Sequence, residues 1–197
     1  KNQIKKLKKK YKNFILFNSD FGLVSKRDIE VFDSTKIFRK ASNKFIKKNN
    51  KIKKDFRNHA IKDFSKFKLF LLNTINKIGK KRIVIRPHPA ESLSEWTKVA
   101  KTSNKIFLEK PTYDVTPAIL AATHIIHRGG TTGYQSLVSC KKTGYLNLLK
   151  ENKKTHHFRK SLLNLSTNIK NENEFLKWLN ISQKSNHKIL NSKLKKI

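Results

Sequence analysis

The stretch THIIHRGGTTGYQSLV, residues 123–138, contains the unit that decides the fold of this chain. It opens with a short apolar run bounded by polar residues, which is typical of a buried strand. A glycine pair then permits a tight turn, and the apolar residues through Leu137 and Val138 predict a helix. A strand that turns directly into a helix is the repeating unit of a parallel sheet covered by helices.

The same order of strand and helix recurs along the rest of the chain. Apolar and β-branched runs predict further strands at 14–17, 82–86, 105–109 and 144–149, which read FILF, RIVIR, KIFLE and GYLNLL. Helices are predicted between them near residues 61–78, 91–100 and 117–122, and another after Asn171. This alternation predicts an α/β fold with a doubly wound, Rossmann-like parallel sheet.

The chain has 197 residues and a formal net charge of +33. Charge of this size is expected of proteins that bind nucleic acid or anionic membranes. Between Pro111 and Cys140, however, the only charged side chains other than histidine are Asp114 and Arg128. Because the basic residues avoid this structured region, and Lys, Asn and Ile are abundant elsewhere, we interpret the lysines mainly as solvated surface.

Composition also indicates how the chain is organised. Residues 1–12 predict a basic linker or the tail of a missing upstream domain, because the chain begins with Lys1 and contains no Met. Residues 13–197 predict one Rossmann-like domain with a basic helical insertion near 34–57. The single Cys excludes an intramolecular disulfide, and no apolar run approaches the roughly 18 residues that span a bilayer. The sequence therefore predicts a cytoplasmic location.

Three polar loops are predicted at the carboxyl ends of the strands, where open parallel sheets bind their ligands. The first, NSDFG, places Asn18, Ser19 and Asp20 at the rim of a candidate site. Asp20 could act as a general base, although turn-forming aspartates are far more common than catalytic ones. The other two loops are RPHP at 86–89 and HRGGTTG at 127–133.

The loop after the fourth strand has the composition of an anion-binding turn. Its glycines let the backbone approach a ligand, and its threonines lie at the start of a helix, whose free N–H groups favour phosphate. The predicted phosphate-binding residues are Gly129, Gly130, Thr131, Thr132 and Gly133, with His127 and Arg128 as further donors at the rim. The alternative is that the glycines only form a tight turn and the threonines only cap the helix.

The RPHP loop places a histidine between two prolines. Pro87 and Pro89 hold the backbone of His88 extended and restrict the position of its ring. Beside Arg86, this imidazole could bind a diphosphate or protonate a departing phosphate oxygen. The alternative is a histidine that ends a strand and hydrogen-bonds to a neighbouring loop.

Taken together, RPHP and, about forty residues later, HRGGTTGYQSL resemble the paired signatures of bacterial surface-polysaccharide biosynthesis proteins of the two-domain glycosyltransferase-B type. Capsule Kdo transferases, polysialyltransferases and CDP-glycerol glycerophosphotransferases carry a similar His-Pro element and a Ser/Thr-rich loop. The opening YKNFILFNSDFG also resembles the first strand and loop of the second domain in the family of surface carbohydrate biosynthesis proteins. The resemblance covers roughly residues 11–150.

The resemblance implies that this chain is the C-terminal, nucleotide-sugar-binding half of a glycosyltransferase-B architecture. In this family His88 and the loop from Gly129 to Gly133 would contact the donor phosphates. From the chemistry of the RPHP loop, Arg86 is a further phosphate-binding residue and His88 is the candidate catalytic residue. Where relatives commonly place Glu two residues beyond the last Gly, this chain has Gln135, which can still hydrogen-bond a ribose hydroxyl. The upstream half would bind a saccharide or lipid-linked acceptor.

The sequence also bears on membrane association and on the need for a cofactor or metal. Lysine-rich surface could hold the protein peripherally against anionic lipid at the inner membrane face. No cofactor and no metal is predicted, because the chain has no Asp-X-Asp pair and no Cys/His cluster with ligand spacing. The nucleotide sugar would be a substrate.

Two alternative functions stay open beside the glycosyltransferase. A sugar-nucleotide 2-epimerase of the same architecture would bind its nucleotide in the same domain but would need no acceptor. A basic nucleic-acid-binding module would show affinity that falls steeply with salt and would expose aromatic rings among its lysines.

Overall fold

The computed structural model describes residues 2–21, 58, 61–89, 91, 93–111, 114–149 and 156–181. Within these residues a six-stranded, all-parallel sheet forms the centre of the molecule. The strands are β1 (Phe14–Asn18), β2 (Arg82–Arg86), β3 (Ile106–Leu108), β4 (His124–His127), β5 (Lys142–Leu146) and β6 (Thr167–Ile169). Their order across the sheet is β3-β2-β1-β4-β5-β6.

Helices lie before, between and after the strands. They are α1 (Asn2–Tyr11), α2 (described over residues 61–74 and followed by a 3-10 turn, Ile75–Lys77), α3 (Leu93–Ala100), α4 (Thr116–Ala121), α5 (Thr131–Val138), α6 (His156–Leu165) and α7 (Glu172–Asn180). The predicted α/β fold with a doubly wound, Rossmann-like parallel sheet is confirmed. No described helix combines the length and the apolar character that crossing a membrane requires.

The two faces of the sheet carry separate layers of helices because side chains alternate along each strand. Ile15 and Phe17 of β1 pack with α2, α3 and α7 in one core cluster. Phe14 and Leu16 pack with α1 and α4 in a second cluster, and Tyr145 of β5 packs with α5 and α6 in a third. Since both faces of the central strands are buried, these strands read as continuous apolar runs.

Residues 2–11, which the sequence suggested as a linker or the tail of another domain, form a helix that packs on this sheet. Leu7 and Tyr11 lie one turn apart on α1 and are 8% and 1% exposed, next to α4. The Tyr11 hydroxyl donates a hydrogen bond to the carboxylate of Glu109. The lysines of α1 occupy its exposed face, as expected of an amphipathic surface helix.

Some elements differ from their predicted extent. Strand β5 begins at Lys142, two residues before the predicted start, and neither α6 nor β6 was predicted. Asn171 caps α7, where its side chain accepts a hydrogen bond from the Glu174 N–H at 2.9 Å. The basic insertion predicted near 34–57 lies outside the described residues.

The strand order reverses between β1 and β4, because the chain moves outward from β1 through β2 and outward from β4 through β5. At such a switch point, loops that leave neighbouring strands run to opposite sides and open a crevice. Asn18, the last residue of β1, lies in register with Arg86 of β2 and with His127 of β4. The three predicted polar loops therefore begin around this one point of the sheet.

Candidate functional site

A cleft of about 230 Å³ opens at the carboxyl edge of the sheet, at the switch between β1 and β4. It brings together residues from segments that are remote in sequence. Its lining consists of Asn18, Ser19, Arg86, Pro87, His88, Pro89, Val115, Thr131, Thr132 and Gln135. The loop after β1, the RPHP loop and the start of α5 thus share one cleft.

The loops after β1 and β2 are hydrogen-bonded to each other through Ser19. Its backbone N–H donates to the Arg86 carbonyl at 3.2 Å, and its hydroxyl accepts from the His88 backbone N–H at 3.2 Å. The His88 carbonyl in turn accepts from the Glu91 N–H at 2.9 Å, which closes a turn after the RPHP loop. This network fixes the backbone that carries His88, while the His88 side chain itself is exposed.

Glu91 is a buried carboxylate behind the cleft that the sequence analysis did not single out. It accepts hydrogen bonds from the Ser19 hydroxyl at 2.5 Å, from the Phe21 N–H at 2.8 Å and from the Trp96 indole N–H at 2.7 Å. Burial raises the pKa of Glu91 to about 7, although these three hydrogen bonds act in the opposite direction. Glu91 therefore joins the loop after β1 to α3 and supports the network that holds His88.

The start of α5 forms the opposite wall of the cleft. Gly129 and Gly130 have φ angles of 135° and 73°, a region that disfavours any residue with a side chain. Gly130 occupies the cap position of α5 and has no side chain to accept from the first N–H groups of the helix. With Thr131 and Thr132 lining the cleft, this helix end offers N–H and hydroxyl donors that favour an anion.

Asn18 lies at the floor of the cleft and is only 6% exposed. Neither its Oδ1 nor its Nδ2 finds a hydrogen-bond partner among the described residues. Buried polar side-chain atoms in folded proteins are normally hydrogen-bonded. An unpartnered carboxamide that lines a cleft is consistent with a group that a ligand completes.

Arg86 supplies the fixed positive charge of the cleft and is 8% exposed. Burial lowers the pKa of its guanidinium, and the nearby carboxylates of Asp114 and Glu109 oppose this change. Gln135 lies one turn along α5 from Thr131 and Thr132, and it contributes an exposed amide to the same wall.

His127 and Gly133 were predicted at the site, but the structure does not bring them to the cleft. The His127 ring is fully buried beneath α5, and its Nε2 lies 2.9 Å from the Ser166 hydroxyl. Burial lowers the pKa of His127 to about 3, so the ring is neutral near pH 7. A Cβ at position 133 would lie 2.8 Å from this ring, which means that Gly133 is needed for helix packing.

Arg128, predicted as a donor at the rim, is directed into the protein. It forms a buried ion pair with Asp63 of α2, and both side chains are 3% exposed. Its guanidinium also donates to the Leu146 carbonyl at 2.6 Å. Arg128 therefore ties the loop after β4 to α2, and it does not line the cleft.

The remaining predicted residues lie beside the cleft. Asp20 is half-buried, and its Oδ2 lies 3.8 Å from the position that a Cβ would take on Gly130. Gly129 and Gly130 shape the turn into α5 without themselves lining the cleft. The two walls of the cleft thus present donors from Arg86, His88, Thr131 and Thr132, Asn18 lies between these walls, and the carboxylate of Asp20 lies close to the glycine turn.

Larger surface depressions exist elsewhere, but they lack this combination of groups. One of about 400 Å³ lies between α2 and the start of α7, where the Asn171 side chain already caps the helix and Glu172 lies beside Lys66 and Lys170. Another of about 460 Å³ lies between α1 and α4, where Lys141 donates to the carbonyl groups of Leu120 and Ala122. Chemistry, and not volume, singles out the cleft at the switch point.

Across the described ranges, no three His, Cys, Asp or Glu side chains come together as a metal ion would require. Neither the protein-family models nor the curated proteins searched include a match to this chain. The geometry and chemistry of the cleft are therefore the basis for a function.

Proposed function

We propose that this domain binds the phosphate groups of a nucleotide-activated sugar and acts as the donor-binding part of a glycosyltransferase. The observation that carries the proposal is the convergence of Arg86, His88 and the start of α5 on one cleft at the switch point of the sheet. Ligands of doubly wound sheets bind at this position. The unpartnered carboxamide of Asn18 in the same cleft independently points to a ligand.

A diphosphate fits the chemistry of the two walls. The first N–H groups of α5 and the hydroxyls of Thr131 and Thr132 can bind one phosphate group. Arg86 and His88 from the facing loop can bind the other, and a guanidinium pairs with phosphate through two parallel hydrogen bonds. The cleft thus supplies donors on both sides of a bridging anion.

These donors also suit the reaction. When a glycosyl group leaves a nucleotide, the bond between its anomeric carbon and the phosphate oxygen breaks, and negative charge grows on that oxygen. Helix N–H groups and Arg86 stabilise this charge, and each well-placed donor contributes about 3 kcal/mol. His88 donates a proton or a hydrogen bond to the departing oxygen, while the acceptor oxygen forms the new bond and releases its proton to a base.

The biological setting follows from the resemblance of RPHP and HRGGTTGYQSL to bacterial surface-polysaccharide biosynthesis proteins. In that setting the chain is the C-terminal half of a glycosyltransferase-B enzyme, and a further domain binds a saccharide or lipid-linked acceptor. The work would take place in the cytoplasm, where exposed lysines of α1 would add attraction to anionic lipid at the inner membrane face. A capsule-type polymer is the expected product.

The buried aromatic residues favour this function over nucleic-acid binding. Among the residues whose side chains are described, no Phe, Tyr or Trp is exposed. Binding of single strands typically uses exposed rings on which bases stack. The high net charge alone therefore gives weak support for a nucleic-acid partner.

Calorimetry with CMP, CDP, UDP and GDP tests the proposal. We expect one of the four to bind the unmodified chain and His88→Ala to weaken that binding about tenfold or more. Lys101→Ala serves as the matched control, because Lys101 is an exposed cation after α3 that does not line the cleft, and it should leave the affinity unchanged. Indifference of the unmodified chain to all four nucleotides would contradict the proposal.

A second assay separates transfer from epimerisation. The nucleotide sugar built on the bound nucleotide is incubated with the domain in the absence of any acceptor. A transferase leaves the configuration of the sugar unchanged, whereas a 2-epimerase converts it. If the unmodified domain epimerises the sugar without an acceptor, and His88→Ala abolishes this conversion, the domain is an epimerase and the transferase proposal is wrong.

A further inference from the structure

The floor of the cleft differs chemically from its walls. The walls present donors, but Asn18 presents both an acceptor, Oδ1, and a donor, Nδ2. Both atoms are buried, and neither has a partner among the described residues. The ligand group that meets Asn18 therefore has to accept one hydrogen bond and donate another.

A phosphate group meets only half of this requirement. At neutral pH a phosphodiester or diphosphate oxygen accepts hydrogen bonds and has no proton to donate. It could accept from Nδ2 of Asn18, but it would leave the buried Oδ1 unsatisfied. A hydroxyl both donates and accepts, and two adjacent hydroxyls can pair with both atoms of one carboxamide.

From this requirement we infer that Asn18 is the contact for a sugar hydroxyl pair of the ligand and determines specificity for it. This inference rests on the proposed function and adds a position for the sugar to it. The phosphate groups lie between Arg86 and the start of α5, and the hydroxyls lie deeper, on the last residue of β1. The hydroxyls belong either to the ribose of the nucleotide or to the sugar that is transferred.

The position of Asn18 supports a role in recognition. It lies in register between Arg86 of β2 and His127 of β4, at the centre of the sheet. Its backbone is fixed by the pairing of β1 with both neighbours, so the carboxamide always projects from the same point of the cleft. A desolvated amide discriminates strongly against a ligand that lacks the matching hydroxyls, because its own atoms then stay unpaired.

The test compares the unmodified chain with Asn18→Leu, a substitution of similar size that removes both polar atoms. The probes are inorganic pyrophosphate, whichever of CMP, CDP, UDP or GDP binds, and a nucleotide sugar built on it. We expect Asn18→Leu to weaken binding of the nucleotide sugar about tenfold and to leave pyrophosphate binding unchanged. If binding of the free nucleotide weakens equally, the hydroxyls are those of the ribose; if it does not, they are those of the transferred sugar.

Two results would overturn the inference. One is an equal loss for pyrophosphate, which would mean that Asn18 contacts phosphate. The other applies if the free nucleotide and the nucleotide sugar weaken equally, and it uses the 2′,3′-dideoxy form of that nucleotide as the probe. Since this form has no ribose hydroxyls, Asn18→Leu should not change its affinity. A tenfold loss of affinity would instead show that Asn18 contacts the base. A chain that binds the nucleotide sugar but is unaffected by Asn18→Leu refutes the inference alone, whereas a chain that binds no nucleotide refutes the proposed function as well.

Thermal unfolding without ligand gives an independent readout. Removing a buried amide that has no partner should leave the melting temperature unchanged or raise it, whereas a purely structural asparagine would lower it. Asn168→Leu is the matched control, because Oδ1 of Asn168 is likewise buried without a partner among the described residues but lies in β6, away from the cleft. The control should not alter the affinity for any of the probes.

Discussion

Arg86 is the last residue of β2 and Arg128 directly follows β4, so both lie at the carboxyl edge of the sheet, and they are buried to a similar degree, at 8% and 3% exposure. Their surroundings nevertheless differ in kind. Arg128 forms an ion pair with the buried carboxylate of Asp63, whereas Arg86 lines the cleft. The comparison shows that a cation at the carboxyl end of a strand can either pack into the protein or line a cleft, and the direction of its guanidinium decides which.

Two buried acidic residues, Asp63 and Glu91, are held by different kinds of donor. Asp63 pairs with a permanent cation, which satisfies its charge. Glu91 is held by three neutral donors, from Ser19, Phe21 and Trp96. Glu91 therefore holds the loop after β1 in position, whereas Asp63 neutralises Arg128.

Breaking the Arg128 ion pair should have the largest effect on stability. Arg128→Met leaves the Asp63 carboxylate buried without its partner, and we expect a loss of about 3–5 kcal/mol in the free energy of unfolding, measured with urea. Arg86→Met is the matched substitution at the other arginine and should cost less than half as much. Equal losses at both positions would remove the distinction between a structural and a ligand-binding arginine.

The pH dependence of stability tests the environment of Glu91. Its pKa of about 7 in the folded chain lies above the ordinary value of 4.5, so the folded chain holds this proton more tightly than the unfolded chain. The resulting stability is fully present below about pH 4.5 and is lost as the pH rises through 7. Glu91→Gln has no such proton, and between pH 4.5 and 8 its stability relative to the unmodified chain should rise by about 3 kcal/mol.

The difference in the free energy of unfolding between Glu91→Gln and the unmodified chain isolates the contribution of Glu91. His127 has the opposite dependence, because burial lowers its pKa to about 3 and its contribution is lost as the pH falls below 6.5. Both chains contain His127, so its contribution cancels. A difference between the two chains that stays constant from pH 4.5 to 8 would show that Glu91 is not desolvated in the way the structure indicates.

The smallest expected change is in the binding affinity of Arg86 variants. Arg86→Met should weaken the binding of a nucleoside diphosphate roughly 10- to 100-fold, since a charge-assisted hydrogen bond is worth about 1.5–3 kcal/mol. Arg86→Lys keeps the charge but loses the paired donors of the guanidinium, and its affinity should lie between those of the other two chains. Titration calorimetry measures all three, and equal affinities would show that Arg86 does not contact the phosphates.

The strands and their parallel arrangement could be predicted from sequence because buried central strands leave a strong local signal. RIVIR and FILF are runs that only a two-sided core accommodates. Strand β6 was missed because it has three residues, Thr167–Ile169, and only the last is buried. The packing of α1 on this sheet could not be read from the sequence, because its apolar residues, Leu7 and Tyr11, are few among many lysines.

The sequence predicted which residues lie near the site better than it predicted where their side chains point. Asn18 is the first polar residue after four apolar ones, and His88 lies between two prolines, so both have a local signature. The inward direction of Arg128 depends on Asp63, which is 65 residues away in the chain. Glu91 likewise acquires its role from Ser19 and Phe21, and these contacts exist only after the sheet has formed.

The packing of α1 also determines where the domain can be cut. A fragment that began at residue 13 would lose Leu7 and Tyr11 and would uncover Phe14 and Ile119, which pack against them in the same cluster. Apolar surface exposed in this way favours self-association and aggregation during expression. The lysine-rich first helix therefore belongs in any recombinant fragment of this domain, and affinity tags should be joined ahead of it.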